Sequence, residues 1–102
     1  MTNTEIARQL RTYATDLARG GDNLYRIRAV RQAAMAVLGI PEPVEQLLAN
    51  RGRPALEAVP GLGRSLAETI ANYVETGEWV PSELSRPRRS RLISQKEMPS
   101  RN

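Results

Sequence analysis

Glycine and proline interrupt this sequence at Gly20-Gly21, at Gly39 with Pro41 and Pro43, at Gly52 with Pro54, through Pro60-Gly61-Leu62-Gly63, and at Gly77. Glycine favours turns and helix ends, and proline lacks the amide donor that a helix interior or a central strand needs. Between these breaks the apolar residues recur every three or four positions, the period of a helix that buries one face. No stretch sustains the alternation of a strand. Such a chain can build only short helices joined by tight turns, and the predicted fold class is all-α.

The first helix is predicted over residues 3–19. Thr2-x-x-Glu5 is a capping-box pattern, and Ile6, Leu10, Tyr13 and Leu17 form the stripe behind it. Asp22 or Asn23 caps a second helix over 23–38. Leu24, Ile27, Ala34 and Leu38 are its predicted inner stripe, supplemented by Val30 and Val37. Gly39 stands at its C-cap and Pro41 follows as a stop. Pro43 opens a third helix over 43–50, with Val44, Leu47 and Leu48 inward, closed by Asn50 and Gly52. Residues 55–58 make one further turn. The last helix, over 64–76, carries Leu66, Ala67, Ile70, Tyr73 and Val74 on one face, and Gly77 ends it. Residues 1–80 therefore read as one compact four-helix domain. From Pro81 to Asn102, proline, serine and arginine dominate and periodicity is lost, so a disordered basic tail is expected.

The chain has no Cys and no His. That removes disulfides, thiolate nucleophiles, Cys-based zinc sites, and the commonest general base and metal ligand. No apolar run approaches the roughly 18 residues that span a bilayer. The start, Met1-Thr2-Asn3-Thr4-Glu5, lacks the basic-then-apolar order of a secretory signal. The expectation is a complete small protein, with a fragment of a larger one as the alternative, monomeric and cytoplasmic, and associated with the nucleoid if its source is prokaryotic.

Charge is unevenly placed. Residues 1–84 carry nine Arg against ten acidic residues, a net −1, whereas residues 85–102 carry a net +5. Basic residues are almost all arginine, whose planar fork suits bidentate phosphate contact, and Lys96 is the single lysine. Glu42 and Glu45 read as aids to the third helix through its dipole. Glu68 and Glu75 share a helix but lie seven residues apart, and no pair of carboxylates makes a catalytic case.

The most informative segment is Val59-Pro60-Gly61-Leu62-Gly63-Arg64-Ser65-Leu66-Ala67. Its glycines allow positive φ and close approach by another backbone. The helix that follows directs its first amides, and the positive end of its dipole, toward any anion placed there. Arg64 adds a full positive charge and Ser65 a hydroxyl donor. Read as Gly-x-Gly alone, the segment is equally a tight connection between two helices.

The sequence from Val59 through Thr69 and Ile70 resembles a helix-hairpin-helix motif. Together with Gly21–Ala34 upstream and Tyr73–Gly77 downstream, it is similar in order and spacing to the N-terminal 8-kDa domain of family X (polymerase-β-like) DNA polymerases. The resemblance spans about residues 3–80. It implies a four-helix domain ending in a helix-hairpin-helix, which grips DNA at gaps and nicks without reading sequence. It implies phosphate contacts at Gly61, Gly63, Arg64 and Ser65. It also implies a monovalent cation held by the main-chain carbonyls of Glu57, Val59 and Leu62, with no other cofactor.

The same family has a 5′-phosphate pocket and, in some members, a 5′-deoxyribose phosphate lyase that forms a Schiff base through lysine. Here Thr69 stands at the nucleophile's position, Ser65 at a neighbouring phosphate-binding lysine position, and Val30 where the family has a tyrosine. A hydroxyl forms no imine, so the lyase is not expected, and no chain remains to build a polymerase palm. Arg26 matches a phosphate-binding position. Tyr25 matches one where a ring stacks on a base, and it reads equally as an aromatic packed at a helix start. Arg28, Arg31, Arg51 and Arg53 are auxiliary basic candidates, and for Arg51 and Arg53 the plain alternative, a solvated face with partial salt bridges, is the weightier one. In the tail, Arg86, Arg88, Arg89 and Arg91 add sequence-independent attraction to DNA, and the same charges suit RNA. The expected function is a non-catalytic DNA-binding module, preferring gapped or nicked DNA in repair. The alternative is a protein-interaction module, with a repair-protein partner, that keeps the fold after losing DNA binding.

Overall fold

A computed structural model describes residues 1–81. The described residues form five helices and no strand: α1 (Asn3–Arg19), α2 (Leu24–Leu38), α3 (Val44–Arg51), α4 (Arg53–Glu57) and α5 (Arg64–Thr76). The all-α expectation holds. The isolated turn expected at 55–58 is instead α4, which begins two residues earlier, with Pro54 in its first turn where a missing amide costs nothing.

α1 and α2 begin where a neighbouring side chain satisfies one of their first amides. At α1 the Thr2 hydroxyl accepts from the Glu5 amide at 3.1 Å, and the Glu5 carboxylate accepts from the Thr2 amide at 2.7 Å. At α2, Asn23 rather than Asp22 is the cap, accepting from the Arg26 amide at 2.8 Å. At α3, Pro43 offers no side-chain cap, and the partner comes from far along the chain. Asn3 accepts from the Val44 amide at 2.9 Å and donates to the Glu42 carbonyl at 3.0 Å. That two-way bond fastens the start of α1 to the start of α3.

α1 and α2 pack along one another, and α3, α4 and α5 close the other side. Ile6, Leu10, Val37, Val44, Leu56 and Ile70 are fully buried at the centre. Burying side chains of this size is the main force holding so small a domain together, at roughly 1.5–3 kcal/mol for each. Beyond α5 the chain turns back, and Trp79 packs edge-on against Tyr13 and Tyr73 at ring-centroid distances of 5.6 and 5.3 Å. Pro81, expected to begin the disordered tail, is instead buried, and the rest of that expected tail, residues 82–102, lies outside the described residues.

The predicted inner stripe of α2 is corrected at two positions. Ile27, Val30, Ala33, Ala34 and Val37 are buried, but Leu24 and Leu38 are 56 % and 45 % exposed. Leu48 of α3 is half-buried and packs against the core, as its inward placement requires. The helix α2 carries apolar residues on two faces, so spacing alone admitted either as the inner one.

Candidate nucleic-acid interface

The segment between α4 and α5 is a hairpin anchored from inside. Leu62 is buried, and its amide donates to the Val59 carbonyl at 3.0 Å, closing the turn. Gly61 has φ +93°, a conformation that side-chain-bearing residues rarely adopt. A Cβ there would lie 3.1 Å from the Ala36 Cβ and 3.9 Å from the Gln32 side chain. The hairpin thus rests on α2, and Gly61 is required both by conformation and by space.

Gly63 differs on both counts. Its φ and ψ of −75° and 164° suit any residue, and a Cβ built on it meets nothing within 4 Å. It is the N-cap of α5 and forms no side-chain cap. The first turn of α5 also lacks any acidic residue. The outward amides and positive end of this 13-residue helix therefore face open space beside a backbone that carries no side chain.

Arg64 projects from the first position of α5 with its side chain 86 % exposed. Its Nε lies 4.0 Å from a Glu57 carboxylate oxygen, an exposed and marginal pair that leaves the guanidinium available. Ser65 is half-buried, and its carbonyl accepts from the Thr69 hydroxyl at 3.0 Å. Thr69 itself is fully buried.

The other predicted residues separate into distinct places. Tyr25 is 86 % exposed, so the reading in which it packs on the fold is overturned. Its helical register with Ala29, Gln32 and Ala36 puts it on the stripe of α2 that leads to Gly61. Arg26 lies on another side of the helix, paired with Asp22 at 3.4 Å. Arg28 and Arg31 are exposed on α2. Arg51 is exposed at the end of α3, beside an apolar groove that includes Ile40 and Val59. Arg53 is committed elsewhere. Its guanidinium donates to Asn72 and Glu75, each at 2.8 Å, and so ties α4 to α5. Arg86, Arg88, Arg89 and Arg91 lie outside the described residues.

Among the described residues no cluster of three acidic, His or Cys side chains stands ready for a metal ion. The carbonyls of Glu57, Val59 and Leu62 belong to the hairpin segment, and that of Val59 already accepts the turn bond from Leu62. Also among the described residues, no helix is long and apolar enough to cross a membrane. The Asn3 clamp and the partners of Arg53 escaped the sequence reading, because each contact joins residues distant along the chain and no local pattern announces it.

A family model for the helix-hairpin-helix domain matches residues 1–79, which takes in both the hairpin and the helices that carry it. Comparison with curated proteins gives no match.

Proposed function

The chain belongs to the helix-hairpin-helix family, whose domains commonly bind DNA without reading sequence, and on that premise we propose that it is a non-catalytic DNA-binding module. The observation that carries this reading is the pairing of an anchored Gly61 with an open Gly63. The first fixes the turn, and the second lets a phosphodiester approach the start of α5 with no side chain in the way. Arg64 adds a charge-assisted contact to the same phosphate, and Ser65 lies one residue further into the helix.

Tyr25 extends the surface. A fully presented ring on the hairpin-facing stripe of α2 suits stacking on an unpaired or terminal base. Such a base is available at a gap or nick and not within intact duplex, so gapped or nicked DNA is the proposed preference, in repair. The lyase chemistry of polymerase-β-like domains is not proposed. Thr69, which the resemblance sets at the nucleophile's position, is fully buried and donates its hydroxyl to the Ser65 carbonyl. The protein acts as a monomer inside the cell, and its tail arginines add non-specific attraction.

Fluorescence anisotropy on gapped, nicked, intact and single-stranded DNA at two salt concentrations tests the reading. The full chain is expected to bind in roughly the 10⁻⁴–10⁻⁶ M range, tightest on gapped DNA. Replacing Arg86, Arg88, Arg89 and Arg91 by Gln should weaken binding to all four DNAs while keeping their order. Binding that vanishes with the tail charges and shows no order among the DNAs would contradict it. Borohydride trapping on an abasic substrate should give no adduct. A covalent adduct lost in Lys96→Ala would restore a lyase through the tail.

A further inference from the structure

Four of the six large apolar side chains exposed among the described residues lie on α2: Leu24, Tyr25, Met35 and Leu38. Tyr25 belongs to the stripe that runs to the hairpin. The other three fall with Arg28 and Arg31 on a second stripe, at positions 24, 28, 31, 35 and 38. Steps of four and three residues are the spacing of a seam between two helices. On a helix they fall about a quarter-turn away from the hairpin stripe. Met35 on this stripe is 71 % exposed, and neither Arg28 nor Arg31, beside and at its centre, pairs with a carboxylate among the described residues. The whole of α2 contains no acidic residue.

We propose that this outer stripe of α2 docks an acidic amphipathic helix of a partner protein. Leucine and methionine would pack against its apolar face, and Arg28 and Arg31 would pair with its flanking carboxylates. Charge complementarity selects this occupant over two others. A second copy of the chain, paired through the same stripe, would set Arg31 against Arg31 in an antiparallel arrangement. A parallel arrangement would set each arginine against its own copy. A DNA backbone would answer the arginines but leave Leu24, Met35 and Leu38 in water. The stripe is about 22 Å long, enough for one short helix and suited to a transient complex.

The test is an amide-shift NMR titration of the full chain. The probe is a synthetic 16-residue helical peptide with Leu at its seam positions and Glu flanking them, compared with the same peptide carrying Gln for Glu. Shifts are expected along residues 24–38, with at least tenfold weaker binding by the Gln peptide. Leu24→Gln combined with Met35→Gln should weaken the Glu peptide at least tenfold while leaving affinity for gapped DNA within twofold. Arg28→Gln with Arg31→Gln provides a second pair of exposed changes, checked for folding by an unperturbed spectrum elsewhere, with the same expected loss of peptide binding. Equal binding of the two peptides would overturn the proposal, as would shifts centred on the groove at Ile40 or unchanged affinity in the Leu24/Met35 variant. A dimer in sedimentation that Met35→Gln dissolves would assign the stripe to a second copy. Loss of DNA binding in the same variant would assign it to DNA.

Discussion

The starts of α1 and α5 are built to opposite ends. At α1 the chain closes its own helix: the Thr2 and Glu5 side chains bond each other's amides, and a carboxylate sits over the positive end of the dipole. Asn3, one residue inside that box, reaches across the fold to cap α3. At α5 the cap is a glycine, the first turn carries no acid, and the residue that follows is a cation. An arginine there is unfavourable for the helix by itself, since it faces the positive end of the dipole. The difference teaches that α1 spends its polar groups on stability, whereas α5 leaves them to an incoming anion.

The largest effect expected on this contrast is at the hairpin's buried side. Gly61→Val places a branched side chain at φ +93° and against Ala36, and should cost about 2–4 kcal/mol in a denaturant titration. DNA binding would fall with it, because the turn itself is displaced. Asn3→Ala comes next. It removes both bonds of the clamp and leaves the partly buried Val44 amide without its acceptor, for about 1–3 kcal/mol, with DNA affinity retained. Thr2→Ala removes only the hydroxyl half of the capping box and should cost about 1 kcal/mol in thermal unfolding, again with DNA affinity intact.

The smallest effect is the pH dependence of the same box. The Thr2 amide donating to Glu5 holds its carboxyl below the ordinary value. A lowered folded-state pKa contributes stability that is present above the unfolded value and lost as pH falls through the folded one. Glu5→Gln should therefore flatten the acid limb of a stability profile, and a profile identical to the parent's would remove Glu5 from the cap.

Much of this contrast was legible in the sequence. Thr2-x-x-Glu5 and Pro60-Gly61-Leu62-Gly63 are local patterns whose mechanism acts within a few residues, so both were found at their positions. What local pattern could not supply was the difference between the two hairpin glycines. Gly61 is fixed by Ala36 and Gln32, far away in the chain, and Gly63 is defined by empty space. The same limit applies to Leu24 and Leu38. Helical period shows that residues share a face but not which of two apolar faces meets the core, and the choice was made by the packing of α1 on α2. For Arg53 the sequence left open a DNA contact or a solvated, partly salt-bridged face, and Asn72 and Glu75 on α5 decide for the second.

The most direct measurement is Gly63→Ala, followed by stability and gapped-DNA affinity on the same sample. The native φ and ψ accept alanine and no atom lies within 4 Å of the new methyl, so stability should change by no more than about 1 kcal/mol, the usual range for an N-cap glycine replaced by alanine. If the DNA backbone approaches the start of α5 there, affinity should fall about tenfold, equivalent to about 1.4 kcal/mol. A stable variant that binds gapped DNA as tightly as the parent would contradict the hairpin as the DNA contact.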